Sequence, residues 1–410
     1  MSGPRVMIAG AGLGGVSAAL SLKSQGVDDV VIFEQADALQ KIQVGIGMIL
    51  WPNGARALKE IGVKDELAQW ANQVDEVHAR APKGSVLSSW SLRDIAGQVG
   101  APCLCFVRGE LHKLLTSHLD DGVLKLGRTC ESYTQDADGV TVRFSDGSEE
   151  RGDALICSDG MFSEFRRQIA GVGPPDFPPY VYTTWNGVVD YDDADAFPYG
   201  RFYLLFGRAF RFNIYRVENP DHGYRTYWGA LGYVDARDSD PGGTKAFLKQ
   251  TFDGYMKCVG DLIDRTEEQE IRRVRFYGGR ATPRWGDGRA SLLGDAAHAL
   301  TNTLGQGSGM AFEDSIVLGR AFGASGSDAL GALRKYEGRR VARTDTALEL
   351  IAKLSSTSSM ETAARTWFRN NVMIRVGFRR GLAASYERWL GAVENEFAPF
   401  PPSPNGGSGA

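Results

Sequence analysis

Long apolar runs are missing from this chain: no stretch offers the roughly 18 uninterrupted hydrophobic residues that a bilayer crossing needs. The N-terminal MSGPRVMIAG lacks the apolar core and small-residue cleavage site of an export signal, so a cytoplasmic protein is expected. Cysteine is scarce. Cys103, Cys105, Cys130, Cys157 and Cys258 are odd in number and form no C-x-x-C pair, which argues against a disulfide framework and for reduced, mostly buried thiols. Cys103 and Cys105 make a C-x-C, but no histidine stands near them in sequence, and no metal is expected. Net charge is also small, formally -4 over 410 residues, which gives no electrostatic reason to expect nucleic acid. What remains is the composition of an ordinary globular protein, in a chain long enough for two domains.

Glycine, by contrast, is plentiful and ordered. Gly10, Gly12 and Gly15 fit G-x-G-x-x-G directly after an apolar strand (RVMIA) and at the start of a helical pattern (VSAALSLKSQG), with a second strand, VVIFE, to follow. In such a β-α-β unit the first glycine permits the turn, the second admits a pyrophosphate close to the backbone, and the third lets helix pack on strand. The helix N-terminus offers its free N–H groups to the anion. Glu34 ends the second strand, about 20 residues on, where a carboxylate can accept the ribose hydroxyls of an adenosine. One pyrophosphate needs one such loop, so a second glycine-rich stretch, GDAAHALTNTLGQGSG at 294–309, must serve another part of the ligand or a different ligand.

Helical periodicity recurs at 53–61, 109–119 and 244–258 and dominates from 306 to about 392, while 138–157 reads as a hairpin turning at Asp146 and Gly147. Between 74 and 92, and again from 181 to 234, the period becomes two and the residues aromatic and β-branched, which predicts a separate sheet. The expected fold is α/β (α+β overall). A Rossmann-like domain over 1–73, 100–178 and 275–345 is interleaved with a mixed β-sheet domain over 74–99 and 179–274. A C-terminal helical region over 346–400 and a disordered tail over 401–410 follow. The strand at 290–293 is expected to return to the first sheet and carry the second glycine-rich stretch beside the first.

Three separated signatures resemble the group A flavin-dependent aromatic monooxygenases, the family of the salicylate and hydroxybenzoate hydroxylases. They are GAGLGG with Glu34; ALICSDGMFSEFRR, similar to the family's DG motif, with Asp159 and Gly160; and LLGDAAHALTNTLGQGSGMAFEDS, similar to its GD motif, with Gly294, Asp295 and the GQG of 305–307. GIGMILWPNGARALKEIG and FVRGELHKLL are weaker echoes. The resemblance covers most of the chain except the strands of the second sheet, which match in character alone.

What it implies is a single elongated FAD held at both ends. Gly10, Gly12, Leu13, Gly14, Gly15 and Glu34 would hold the adenosine and pyrophosphate end. Asp295, Gly305, Gln306, Gly307, Ser308 and Gly309 would hold the ribityl chain and ring, with the helix N-terminus near Gln306 stabilising charge on the reduced flavin. Gly47, Arg108, Cys130 and Asp159 would also reach the cofactor, with capping of a 161–168 helix as the alternative role for Asp159. His298 is implied to be structural, and Glu313 and Asp314 to serve the following helix.

The implied reaction uses NADH or NADPH to reduce FAD and O2 to form a flavin C4a-hydroperoxide, whose oxygen passes to an aromatic or polycyclic, electron-rich small molecule. The flavin is the reactive group, and no catalytic side chain is assigned. With one dinucleotide fingerprint, the nicotinamide donor would bind transiently. Aromatic candidates for the walls of a dry pocket are Trp185, Tyr203, Phe210, Phe212, Tyr215, Tyr227 and Trp228. Ile49, Asn186, Arg211, Asn213, Tyr215 and Asn302 are candidates to meet the substrate; Arg211, Asn213 and Tyr215 share one strand face, and which face looks at the flavin stays open. Asn302 stands where many relatives have proline, and Ile49 leans the pocket toward the apolar. Hydroxylation, epoxidation and Baeyer–Villiger insertion therefore all remain open, as does the alternative of a flavoprotein reductase or halogenase on the same scaffold. No W-x-W-x-I-P stretch supports the halogenase. The arginine-rich C-terminal region is expected to pack its apolar stripe on the protein and not on a membrane, in a monomer or homodimer.

Overall fold

The computed structural model describes residues 3–401 except 174–179, 194–196, 224, 234–242, 278–281, 283, 302–304, 359–361, 378–380 and 382. Four short strands, Val6–Ala9, Val30–Phe33, Ala154–Cys157 and Ala290–Leu292, are buried along their whole length, as strands covered on both faces must be. The sheet they build has the order Gly286–Asp287, Ala290–Leu292, Ala154–Cys157, Val6–Ala9, Val30–Phe33, Leu124–Lys125. Every pairing is parallel except the first.

Register then decides where the motifs meet. Ala9 lies beside both Phe33 and Cys157, and Cys157 lies beside Leu292, so the four strands end level. Gly10, Glu34, Asp159 and Asp295 follow those ends and emerge at one carboxyl edge, the place where open α/β sheets bind ligands. Helix Leu13–Ser24 crosses helix Gly307–Gly323 through small residues: a Cβ on Gly319 would stand 2.3 Å from Ser21 Oγ, and the Ser17 and Ser315 hydroxyls meet at 2.7 Å. That close crossing sets the second glycine-rich stretch beside the first.

The predicted hairpin is shorter than its sequence pattern. It closes between Val140–Phe144 and Glu149–Gly152, around Gly147 at φ 80°, while Ala154–Cys157, apolar throughout, leaves it for the parallel sheet. The 244–258 stretch divides into helices Thr244–Thr251 and Lys257–Arg265, with Gly254 at φ 72° in the break.

The second sheet has seven strands in the order Arg272–Tyr277, Tyr180–Asp190, Arg225–Gly232, Phe210–Arg216, Arg201–Phe206, Glu76–Arg80, Val86–Ser91. Its last strand in sequence continues past residue 274 to Tyr277, because it stays paired to Tyr180–Asp190. Helix Ala329–Ser358 likewise runs unbroken through residues 345 and 346. On one face of this sheet Trp185, Tyr203, Phe212 and Trp228 form a core with Leu248, Val259 and Leu262 of the two helices. The other face turns toward the first sheet. Among the described residues no helix is long and apolar enough to cross a membrane.

Candidate active site

The first glycine loop is tight on its protein side and open on the other. A Cβ on Gly10, whose φ is 100°, would strike the Ser158 carbonyl at 2.5 Å, and one on Gly15 would lie 2.0 Å from the Gly10 carbonyl. At Gly12, which precedes helix Leu13–Ser24, a Cβ meets nothing within 4 Å, and no side chain caps that helix. Gly14 packs instead against Leu293, 2.9 Å from its would-be Cβ, and Leu13 is buried. Glu34 is buried and accepts from the Ala11 N–H at 2.9 Å and the Ala36 N–H at 2.9 Å, so it ties the loop down as well as standing at its edge.

Sequence reasoning missed His112. Its Nε2 donates to the Ala11 carbonyl at 2.7 Å from full burial, and that burial lowers its pKa. The available signal was its spacing four residues after Arg108, which puts both on one face of helix Arg108–Ser117. Arg108 itself donates to the Ile42 carbonyl at 3.1 Å and lines the central cavity.

Asp159 has the capping role on one oxygen. Its Oδ2 accepts from the Glu164 N–H at 3.0 Å, beside Ser163 Oγ, which accepts from the Arg166 N–H at 2.9 Å at the start of helix Glu164–Ala170. The other oxygen, Oδ1, is buried with no protein partner, and burial pushes the carboxyl pKa up. Cys130 is half-buried, its thiol raised to about 12 by burial and by neighbouring Asp159.

In the second glycine-rich stretch, Asp295 lines the cavity and is exposed. Desolvation by the surrounding protein raises its pKa, against the opposing pull of His298, Arg108 and Arg166. Arg166, buried and also missed from sequence, donates to the Asp295 and Ala296 carbonyls, each at 3.2 Å, and so fixes this turn. Gly305, at φ 64°, sits against Ile49 and Trp51, and a Cβ on Gly307 would lie 3.7 Å from Asp295 Oδ1. Ser308 donates to Met48 Sδ at 3.4 Å.

Other residues of the motif turn inward. Gln306 donates to the Tyr386 hydroxyl at 2.5 Å and accepts from Asn53 at 2.9 Å, with Gly309 seated against its amide oxygen. Outside the motif, Gly47 lines the cavity and also leaves clearance for Tyr227, whose ring would lie 2.4 Å from a Cβ there. His298 pairs with Asp314 at 2.7 Å, and Arg340 Nε reaches Asp314 at 2.6 Å, all three fully buried. Burial alone would raise Asp314, but His298 and Arg340 outweigh it and hold its pKa at about 2.

Between this edge and the second sheet lies a cavity of about 360 Å³. Ile49, Asn186, Arg211, Asn213 and Tyr215 all line it, which answers which face of the strand looks inward; Asn302 lies outside the described residues. Of the expected aromatic walls, Tyr215 and Tyr227 are present, stacked at 4.5 Å, whereas Trp185, Tyr203, Phe212 and Trp228 point to the opposite core, where alternation sends every second side chain, and Phe210 packs against it too. Asn186 is already engaged, accepting from Tyr227 at 2.6 Å and donating to Thr184 Oγ1 at 3.0 Å and the Arg272 carbonyl at 3.1 Å. Arg211 is not: it is buried, and its Nε and the Oδ1 of Asn213 have no hydrogen-bond partner. Helix Ala384–Gly391 supplies the remaining wall through Tyr386, Glu387 and Leu390, residues that no sequence motif marked.

These features fit FAD. Two helix N-termini without side-chain caps face one edge, Gly12 leaves an open cradle, and Asp159 Oδ1 and Asp295 offer unfilled acceptors along the way. Residues 4–350 match the family model described as FAD binding domain. The chain is 30% identical over 372 residues to the aurachin C monooxygenase/isomerase of Stigmatella aurantiaca, covering 91% of this chain and 94% of that one. It is 32% identical over 342 residues to a FAD-dependent urate hydroxylase of Klebsiella pneumoniae subsp. pneumoniae, covering 83% and 86%. The crystal structure of Klebsiella pneumoniae HpxO complexed with FAD and uric acid superposes with a TM-score of 0.84 at 27% identity, over 94% of this chain and 97% of that one. The chain therefore belongs to the FAD binding domain family, among the group A flavin-dependent aromatic monooxygenases.

Proposed function

We propose that this FAD-dependent monooxygenase uses NADH or NADPH and O2 to insert one oxygen atom into an aromatic small molecule carrying an anionic or strongly electron-rich polar group. The observation that carries the substrate class is Arg211, a buried guanidinium on the cavity wall with no protein acceptor on its Nε, beside the unfilled Asn213 Oδ1. A buried charge without a partner is costly, so a ligand acceptor is what this wall is built to receive.

Bound FAD supplies the redox chemistry, taking hydride from the nicotinamide and activating dioxygen for transfer. The chain's residues do the rest. Gly12 and the N–H groups that follow it hold the pyrophosphate, and Glu34 the ribose. Asp295 would accept from the ribityl chain, and the free N–H groups at the N-terminus of helix Gly307–Gly323 would favour negative charge on the bound ring. Arg211 and Asn213 fix the polar end of the substrate, while Phe202, Leu204 and Tyr215 exclude water from its ring. The nicotinamide donor would bind transiently over the substrate side, since the one pyrophosphate loop serves the resident cofactor. The reading places the enzyme in the cytoplasm.

A panel of aromatic acids and phenols, each beside a neutral isostere, tests the substrate class by stimulated NAD(P)H oxidation. Stimulation confined to the anionic or phenolic members is expected. Equal stimulation by the neutral isosteres would contradict the role given to Arg211.

A further inference from the structure

The apolar stripe of the C-terminal region does not pack wholly on the protein. Half of the eight exposed large hydrophobic residues among those described fall between 367 and 376: Trp367 at 63% exposed, Phe368 at 49%, Val372 at 38% and Val376 at 67%. They lie on helix Ala363–Phe368 and the wider turns of Arg369–Gly377. This segment is anchored from beneath. Arg369 donates to the Gly207 carbonyl at 2.8 Å, and Ile374 is buried with Ala79, Leu87 and Phe206. With its inner side fixed, the outward side shows aromatic and β-branched carbon to the surroundings, a patch too concentrated for scattered surface hydrophobics.

Charge identifies the occupant. From 362 to 386 the sequence holds Arg365, Arg369, Arg375, Arg379 and Arg380 and no aspartate or glutamate, in a chain that is acidic overall. Arg365 and Arg375 are exposed at the two ends of the apolar patch. A second copy laid on the same face would set like charges together. An anionic phospholipid surface offers both hydrocarbon for Trp367 and Val376 and negative charge for the arginines.

We infer that residues 362–376 dock this enzyme peripherally on an anionic bilayer surface. Ile374 also lines the central cavity, so docking sets a cavity wall directly behind the membrane-facing segment.

The test is flotation of the full-length, FAD-loaded protein with phosphatidylglycerol–phosphatidylcholine vesicles and with pure phosphatidylcholine vesicles. Binding to the anionic vesicles alone is expected, with release at high salt. The pair Arg365→Gln and Arg375→Gln should weaken partitioning on the order of 30-fold, from the usual contribution of each cation near such a surface. The pair Trp367→Glu and Val376→Glu should abolish it, with FAD content unchanged in both. Absence of flotation on anionic vesicles, or flotation unaffected by either pair, overturns the inference. So does a concentration-dependent dimer that the apolar pair dissolves while vesicles bind neither form, since a second copy would then be what covers the face.

Discussion

His112 reaches across from helix Arg108–Ser117 to donate its Nε2–H to the carbonyl of Ala11, at 2.7 Å, and so holds the residue between the first two glycines of the loop. Replacing it by alanine leaves a buried carbonyl unsatisfied, at about 1–3 kcal/mol. We expect His112→Ala to weaken FAD binding roughly 5- to 100-fold by fluorescence titration, at that magnitude of loop destabilisation. Glutamine, which can still donate, should recover part of the loss. Unchanged affinity in His112→Ala would show that the loop holds its shape without this tether.

Gly12 and Gly15 should part company. A methyl on Gly15 collides with the Gly10 carbonyl inside the protein, whereas one on Gly12 enters open space. Gly15→Ala is therefore expected to lower the melting temperature of the apoprotein, by a strain of about 1–3 kcal/mol. Gly12→Ala should leave apoprotein melting unchanged and reduce FAD affinity, because it fills the cradle and not the core. Calorimetry with and without FAD distinguishes the two, and a destabilised Gly12→Ala apoprotein would contradict the assignment of that space to a ligand.

For Arg211→Ala the expected change is a rise in KM for an anionic aromatic substrate of roughly 10- to 100-fold, the loss of a hydrogen bond to a charged group. Flavin content should stay normal, since Arg211 projects from the second sheet and not from the cofactor edge. Steady-state kinetics with FAD absorbance checks both, and unaltered KM would remove Arg211 from the substrate.

Acid should find the buried ion network. Asp314 has its pKa held at about 2 by His298 and Arg340, below the ordinary aspartate value of about 3.9. A carboxyl depressed on folding stabilises the native state fully above the unfolded value, and that contribution is lost as pH falls through the folded one. Asp314→Asn is expected to cost about 3–5 kcal/mol near neutral pH, because it takes the anionic partner from the buried Arg340 Nε. The gap from wild type should narrow by about pH 3 and below. Urea unfolding at the two pH values measures this, and a gap that does not change with pH would show that the carboxylate is not what the network needs.

The first β-α-β unit was legible because G-x-G-x-x-G, the flanking apolar strands and Glu34 are all local in sequence. Alternation placed Arg211, Asn213 and Tyr215 together but could not say which way they look, since that depends on helices Thr244–Thr251 and Lys257–Arg265 covering the other face. Tyr386 carries no motif of its own, and Asn53 lies only in a weak one; they meet through Gln306 only after folding brings residues 53, 306 and 386 together. Gly47 lines the cavity as a cofactor glycine would, and the ring it also makes room for, Tyr227, comes from a strand far along the chain, which no local pattern could show. The C-terminal stripe showed its apolar character but not its exposure, because a period of hydrophobic residues is the same whether protein or something else covers it.

The most direct test of the account as a whole follows isotopically labelled dioxygen through the FAD-loaded enzyme with NAD(P)H and a substrate that stimulates its oxidation. One labelled oxygen atom in each product molecule is the predicted result. Turnover that runs to completion without oxygen, or product free of label, would contradict it.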